Sequence, residues 1–487
     1  MSANMINFFM RIPECIQIFC SFLHTKKFKQ MKYPLFVLFL LITKTTLAKV
    51  VLPSVFSDHM VLQQQDEVKF WGWANPSEEI TISPSWTDET YTTKTSNQAL
   101  WELMLETPKF GGPHTISIKG YNEIILKDIL IGEVWLCSGQ SNMEMSASWG
   151  IDNGDVEMAQ ADYPTIRFFT IPKISAKTPQ NDLPADWEIC TPETMKYSSA
   201  VAYFFAKKLQ ETLKDVPIGL VVSAWGGTPA EIWMPKETIE KDPVLTEAAN
   251  KLTPVEWGPT EPARAYNAMI HPLVGYTMAG TLWYQGESNV GSKIYDKTLT
   301  GLIQSWRGLW DRVFPFYFVQ IAPYQYGEDH FSGVEIRDAQ RRVLNEVSNT
   351  GMVVISDVSP TDDIHPKDKK SVGIRLANLA LKKHYHTING LVESPTFSGV
   401  SFQKNKAALS FGHADGLYIK DKKSLFEVAG EDQQFHPATY KLKGEMVIIS
   451  SKKVKEPKYV RFAWGNTIQS NLLNKANLPA SSFTTKP

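Results

Sequence analysis

The stretch Gly132-Glu133-Val134-Trp135-Leu136-Cys137-Ser138-Gly139-Gln140-Ser141-Asn142-Met143 decides how the chain folds. Its apolar run at 134–138 reads as a strand buried on both faces, the kind that parallel sheets contain. The strand delivers Ser-Gly-Gln-Ser-Asn to its carboxyl end, which is where open α/β sheets bind ligands. A serine there can stand at the rim of the sheet, with the amides of the following turn facing an incoming oxygen. Taken alone, such a serine is more often a helix cap than a nucleophile. It is not the Gly-x-Ser-x-Gly elbow of α/β-hydrolases, because Met143 occupies the position of the second glycine.

Downstream, four more apolar runs repeat the signal, at 218–224, 278–284, 316–321 and 352–357. Helical stripes lie between them. Val201, Phe204, Phe205 and Leu209 follow a cap at Ser198; Leu299, Leu302, Ile303, Trp306 and Trp310 form a second stripe, and Val343, Leu344 and Val347 a third. Strands alternating with helices predict an α/β fold with a doubly wound parallel sheet over residues 131–385. Upstream, residues 49–130 alternate with period two, as in Val68-Lys69-Phe70-Trp71-Gly72-Trp73 and His114-Thr115-Ile116-Ser117-Ile118. Turn residues such as Gly111-Gly112-Pro113 separate these runs, so a small β-sandwich or barrel is expected. Residues 386–487 return to strand-like patterns around Ala407-Ala408-Leu409-Ser410-Phe411, Tyr440-Lys441-Leu442 and 446–450, a second β-rich region.

Lys and Arg total 50 against 51 Asp and Glu, so no basic surplus points to nucleic acid or to an anionic membrane. Residues 31–48 combine Lys32, an apolar run at 35–42 and small residues ending at Ala48, which is a signal-peptide pattern. The run is too short to span a bilayer. Export to the periplasm or the extracellular space is therefore expected, with no membrane partner once the leader is cut. Residues 1–30 read as an upstream start or vector-derived extension, with a membrane anchor at 5–23 as the lesser alternative. Of the four cysteines, Cys15 and Cys20 precede the expected cut. Cys137 and Cys190 remain, as buried thiols or, in an oxidising compartment, as a disulfide.

Four polar constellations end four of the predicted strands. Ser141 is the first. In the second, Ser359-Pro360-Thr361-Asp362-Asp363-Ile364-His365-Pro366, a carboxylate three residues before a histidine can reach back to Nδ1. Nε2 is then free to take a proton from a hydroxyl, which is a weak nucleophile without such a base. A Pro-fixed polar loop is the plainer alternative. In the third, Trp225-Gly226-Gly227-Thr228-Pro229, paired glycines let backbone N–H groups approach a ligand, or simply make a tight turn. In the fourth, Trp283-Tyr284-Gln285-Gly286-Glu287-Ser288-Asn289, Gln285 or Asn289 can donate to a developing oxyanion, or tie loops together.

These blocks, in this order, resemble the sialate O-acetylesterases, a family of the wider SGNH hydrolases. Leu52-Pro53-Ser54-Val55-Phe56-Ser57-Asp58-His59-Met60-Val61-Leu62-Gln63, Tyr266-Asn267-Ala268-Met269-Ile270-His271-Pro272 and Leu478-Pro479-Ala480-Ser481-Ser482-Phe483 extend the likeness over nearly all of residues 49–487. The resemblance implies an SGNH, flavodoxin-like three-layer catalytic domain flanked by β-rich regions. It implies hydrolysis of O-acetyl esters on sugars without a cofactor, most of all on sialic acids, with acetylated xylan and related polysaccharides as the main alternative substrate. By position, Ser141 becomes the nucleophile and His365 the base, with Asp362 orienting the base and Asp363 as its rival. The oxyanion amides fall to Ser141 and Gly227, with Asn289 as side-chain donor and Gln285 as rival. Gln140, Trp225, Gln285 and Glu287 fall in the substrate-binding blocks. A sialate enzyme can use an arginine such as Arg264 for the substrate carboxylate. Two other classes compete: a non-catalytic sugar-binding protein, and a metallohydrolase built on Asp357, Asp362, Asp363 and His365, which lacks a His-Glu-x-x-His element.

Overall fold

The computed structural model describes residues 49–486, so the expected leader and the extension before it lie outside the described residues. In the amino-terminal region the strands are β1 (Val61–Gln63), β2 (Glu67–Trp73), β3 (Glu79–Pro84), β4 (Tyr91–Lys94), β5 (Leu100–Glu106), β6 (Gly111–Lys119) and β7 (Glu123–Gly139). β2 and β5 pair as one antiparallel ribbon, and β4, β3, β6 and the first half of β7 form another antiparallel set. Ile80 and Ile82 on β3 and Ile116 and Ile118 on β6 are all buried, as the period-two pattern requires.

β7 is the element around which the rest is placed. Its first residues alternate between buried and exposed, and from Ile129 to its end every residue is buried. Where alternation stops, the strand leaves the antiparallel set and becomes the centre of a parallel one. There it pairs with β10 (Ile218–Ala224) on one side and β11 (Gly280–Tyr284) on the other. β8 (Tyr163–Thr170), β12 (Phe316–Val319) and β13 (Thr350–Val353) complete the order β13-β12-β11-β7-β10-β8, with β9 (Trp187–Cys190) antiparallel at the edge. Counting β7, β10, β11, β12 and β13 from one to five, the spatial order is the 2-1-3-4-5 of doubly wound sheets, whose ligands bind where the order reverses. That reversal lies at the carboxyl end of β7, which is where Ser141 follows.

The buried residues of β7 alternate between two cores. Trp135 and Cys137 face helices Ala200–Leu213 and Lys369–Lys383, while Val134 and Leu136 join the core that holds Tyr295–Trp310 and Ser332–Glu346. The second core runs on without a break into the amino-terminal strands through Phe70, Trp101 and Ile80. The boundary expected at 130/131 therefore falls inside one strand, and the sheet and its hydrophobic core both cross it.

Residues 396–484 carry short antiparallel strands around a core of their own, including Leu409, Val447, Phe462 and Phe483. Arg337 ties this region to helix Ser332–Glu346. Its guanidinium is fully buried and donates to the carbonyls of Gly465 (2.6 Å) and Asn466 (3.1 Å).

Three local expectations change. The strands β8 and β9 were not anticipated, because Pro164 and Arg167 interrupt the apolar pattern; Arg167 is buried against Asp128 at 2.7 Å, which allows a charge inside a strand. The cap of Ala200–Leu213 is Ser199, whose Oγ accepts from the Ala202 amide, since Ser198 donates to Thr194 instead. β13 ends at Val353 rather than 357, and the chain then turns toward the His365 loop. Cys137 and Cys190 are both buried and free.

Arg337→Met should cost about 2–4 kcal/mol, since two carbonyls lose a charged donor in a dry site. Urea unfolding against the native protein measures it.

Candidate active site

Ser141 sits where β7 gives way to the short helix Ser141–Glu144. Gly139 makes that exit possible: its φ is 139°, and a Cβ there would lie 2.2 Å from the Tyr284 carbonyl of β11. As first residue of the helix, Ser141 has an amide N–H with no acceptor among the described residues. Its hydroxyl Oγ lies 2.8 Å from Nε2 of His365, which arrives from 224 residues away on the loop after β13. Ser141 is 9% exposed, so the pair stands at the rim and not in the core.

The loop after β10 lies beside the pair. Glu144 accepts from the Gly226 amide at 2.7 Å while also pairing with Lys173, and so pins that loop to the helix of Ser141. A Cβ on Gly226 would come within 3.1 Å of the Ser141 Cβ, and Gly227 holds φ at 72°, where a side chain would strike the Trp257 indole. The Gly227 amide, like that of Ser141, has no acceptor among the described residues. Together these elements border a cleft of about 720 Å³, whose lining includes Gln140, Ser141, Gly227, Glu287 and His365. Two tryptophans also line it: Trp149 (45% exposed) meets the His365 ring edge to face at 6.2 Å, and Trp257 (65% exposed) donates to the Gly227 carbonyl.

The cleft thus combines a hydroxyl on an imidazole with two unengaged amides, in a chain whose similarities to known proteins fall on one class of enzyme. Residues 131–382 match the family model described as carbohydrate esterase, sialic acid-specific acetylesterase. The chain belongs to that family. Sialate O-acetylesterase from Homo sapiens is 32% identical over 416 residues, covering 77% of this chain and 79% of the relative. The Mus musculus protein is 33% identical over 387 residues, covering 66% and 71%. A solved carbohydrate acetylesterase from Xanthomonas citri superposes with a TM-score of 0.81 at 33% identity, over 90% of this chain and 100% of that one. The protein is a carbohydrate O-acetylesterase with a mixed α/β fold.

Within this esterase, the residues expected at the site separate into two sets. Ser141, Gly227, His365, Gln140 and Glu287 all reach the cleft. Asp362, Asn289, Gln285, Trp225 and Arg264 do not take the places expected of them. Asp362 makes no hydrogen bond or ion pair among the described residues. Its neighbour Asp363 accepts from the His365 backbone amide at 2.8 Å, so the turn directs Asp363 at the main chain and brings no carboxylate to Nδ1. Asn289 spends its amide hydrogens on the buried carboxylate of Glu231 and its oxygen on Gln285 and the Ala230 amide. Gln285 is held by Thr228, Asn289 and Tyr295. These two amides tie loops together, and neither lines the cleft. The Trp225 indole N–H donates to the Trp257 carbonyl and so supports that segment, and Arg264 is paired with Glu261 away from the cleft lining. Asp357 is clasped by Arg375, and among the described residues no group of three or more His, Cys, Asp or Glu is placed to hold a metal ion.

Glu144, Asn142, Trp149, Trp257 and Lys369 were not singled out from sequence. Glu144 and Asn142 lie within three residues of Ser141, which was the available signal; Trp149 and Trp257 sit in loops without periodicity.

Burial, and after it the charge of Lys369, hold the His365 imidazole below its usual value, against the opposing pull of Asp363 and Glu144. An NMR titration of His365 in the free esterase should accordingly give a midpoint below the ordinary 6.5.

Proposed function

We propose that the enzyme is a serine esterase of the SGNH type, which removes O-acetyl groups from sugars through an acetyl-enzyme on Ser141. The reading rests on the 2.8 Å contact between Ser141 Oγ and His365 Nε2, a nucleophile and base within proton-transfer reach. The strand order, with Ser141 at its reversal point, supports the SGNH assignment and its layering. The pattern of residues 31–48 supports export before the enzyme meets its substrate.

In the first half-reaction, Oγ attacks the acetyl carbonyl carbon as its proton passes to Nε2. The carbonyl oxygen becomes an oxyanion between the Ser141 and Gly227 amides, the only donors assigned to it here. Collapse breaks the bond to the sugar oxygen, and Nε2 returns the proton to that leaving hydroxyl. Water then attacks the acetyl-serine with His365 again as base, which releases acetate and restores Ser141. No acid relay is assigned to Asp362 or Asp363; Asp363 shapes the turn that presents the imidazole.

For the substrate, O-acetylated sialic acids are the first reading, after the activity named for the human and mouse relatives. One observation favours a second. Among the described residues, Lys251 is the only lysine or arginine that lines the cleft; its exposed side chain is paired with Glu247, and no arginine of the described lining awaits a sugar carboxylate. A neutral acetylated polysaccharide, such as acetylated xylan, needs none. Both sugars can stack on Trp149 and Trp257, whereas Gln140, 3% exposed, accepts from the Gly286 and Ser288 amides and holds that loop beside the cleft. Acetate release from O-acetyl sialic acid and from acetylated xylan, compared at equal enzyme, decides between them.

Ser141→Ala should lower turnover of 4-nitrophenyl acetate at least about 10³-fold; retained activity overturns the serine mechanism. Only the neutral imidazole accepts the proton, so activity falls as pH drops through the His365 pKa. The acid limb of kcat/KM should therefore have its midpoint below 6.5. Trp149→Ala and Trp257→Ala should each raise KM for an acetylated oligosaccharide roughly 2–10-fold more than for 4-nitrophenyl acetate, the two substrates being compared on the same variant.

A further inference from the structure

Behind the Ser141–His365 pair lies a polar group that the reaction as written does not use. Lys369 is 1% exposed. It is also the first residue of helix Lys369–Lys383, where the helix dipole disfavours a cation. Burial and the dipole both oppose a lysine there, and such a placement persists where something other than stability holds it.

Its contacts show what it holds. Nζ donates to Asn142 Oδ1 at 2.6 Å. The Asn142 amide nitrogen then donates twice, to Glu287 Oε1 at 2.7 Å and to the Ile364 carbonyl at 3.0 Å. Asn142 is the residue after Ser141, and Ile364 is the residue before His365. One side chain therefore joins the backbone of the nucleophile to the backbone of the base. Its orientation is fixed from both ends, because an ammonium can only donate to the amide oxygen and a carboxylate favours the amide hydrogens.

We propose that Lys369 is a positioning residue for the esterase reaction: through Asn142 it locks the His365 loop against Ser141, the task that an acid on Nδ1 performs in other serine hydrolases. The inference rests on the Ser–His reading of the site. The groups facing the ammonium are Glu287 after β11, Asp363 on the histidine loop, Asp368 at the helix cap and the Tyr284 ring at 5.4 Å. Burial pushes the Glu287 carboxyl up, and its Oε2 has no hydrogen-bond partner among the described residues, so Asn142 stands between two buried titratable groups. Burial brings the Lys369 amine down to about 7. At the lower pH where His365 titrates it is charged, and it opposes protonation of the imidazole.

Lys369→Met removes the donor and the charge at similar volume; Lys369→Gln removes the charge and keeps a donor for Asn142. In Lys369→Met, kcat for 4-nitrophenyl acetate should fall about 10–100-fold with KM nearly constant. The acid limb of kcat/KM should move up by about half a pH unit or more. Lys369→Gln should recover part of kcat and keep the displaced limb, a pattern that a merely structural lysine does not produce. A folded Lys369→Met enzyme with kcat within about twofold of the original and an unmoved limb overturns the proposal. If that variant does not fold, an unmoved limb in Lys369→Gln overturns it. Failure of both to fold also overturns it, by making Lys369 a requirement of the fold. Activity surviving Ser141→Ala would instead sink the underlying serine mechanism.

Discussion

A strand can serve two sheets only if its side chains satisfy both, and β7 meets that condition along its 17 residues. At ~3.3 Å per residue it runs about 55 Å. Its first part obeys the alternation of a strand with one wet face, and its last part the continuous burial of a strand covered on both. Because both sheets hydrogen-bond to the same backbone, the amino-terminal strands are in register with the strands that carry the chemistry. The Val61↔Leu130 and Gly280↔Trp135 pairings lie five residues apart on β7. The exit at Gly139 inherits that register, so the place of Ser141 is fixed by the whole sheet and not by its own loop.

The histidine has no such support. It comes from a loop after a four-residue strand, and among the described residues no carboxylate hydrogen-bonds to its ring nitrogen Nδ1. What fixes it is spread over several weak ties: Asp363 on its amide, Trp149 on its ring, and Asn142 on the neighbouring carbonyl. Each of these contributes modestly in water and more in a site from which water is partly excluded. The glycine loop is fixed in the same way, through Glu144. Shared hydrogen bonds between loops thus hold the imidazole in place of the single carboxylate expected on Nδ1.

The sequence reading worked where one residue class reports one environment. All-apolar runs marked the parallel strands, period two marked the amino-terminal ones, and Ser141 and His365 stood out because both follow such runs. It failed where a polar residue had two plausible partners. Asp362 and Asp363 differ by one position, and only the turn decides which carboxylate meets the backbone. Asn289 and Gln285 look like donors from their strand-end position; that Glu231, 58 residues away in sequence, claims Asn289 is a tertiary fact. β8 was missed because Arg167 reads as solvent-facing until Asp128 is beside it. Lys369 was missed because a lysine among Lys367, Asp368 and Lys370 looks like a solvated helix start.

The two thiols of the described chain have a chemical consequence. Burial pushes the Cys137 thiol far up and the Cys190 thiol up to about 12. A thiol kept from ionising is a poor nucleophile toward oxidants and disulfides. In the folded state these two buried side chains are thereby withheld from oxidants and from thiol exchange, whatever the redox state of the surroundings.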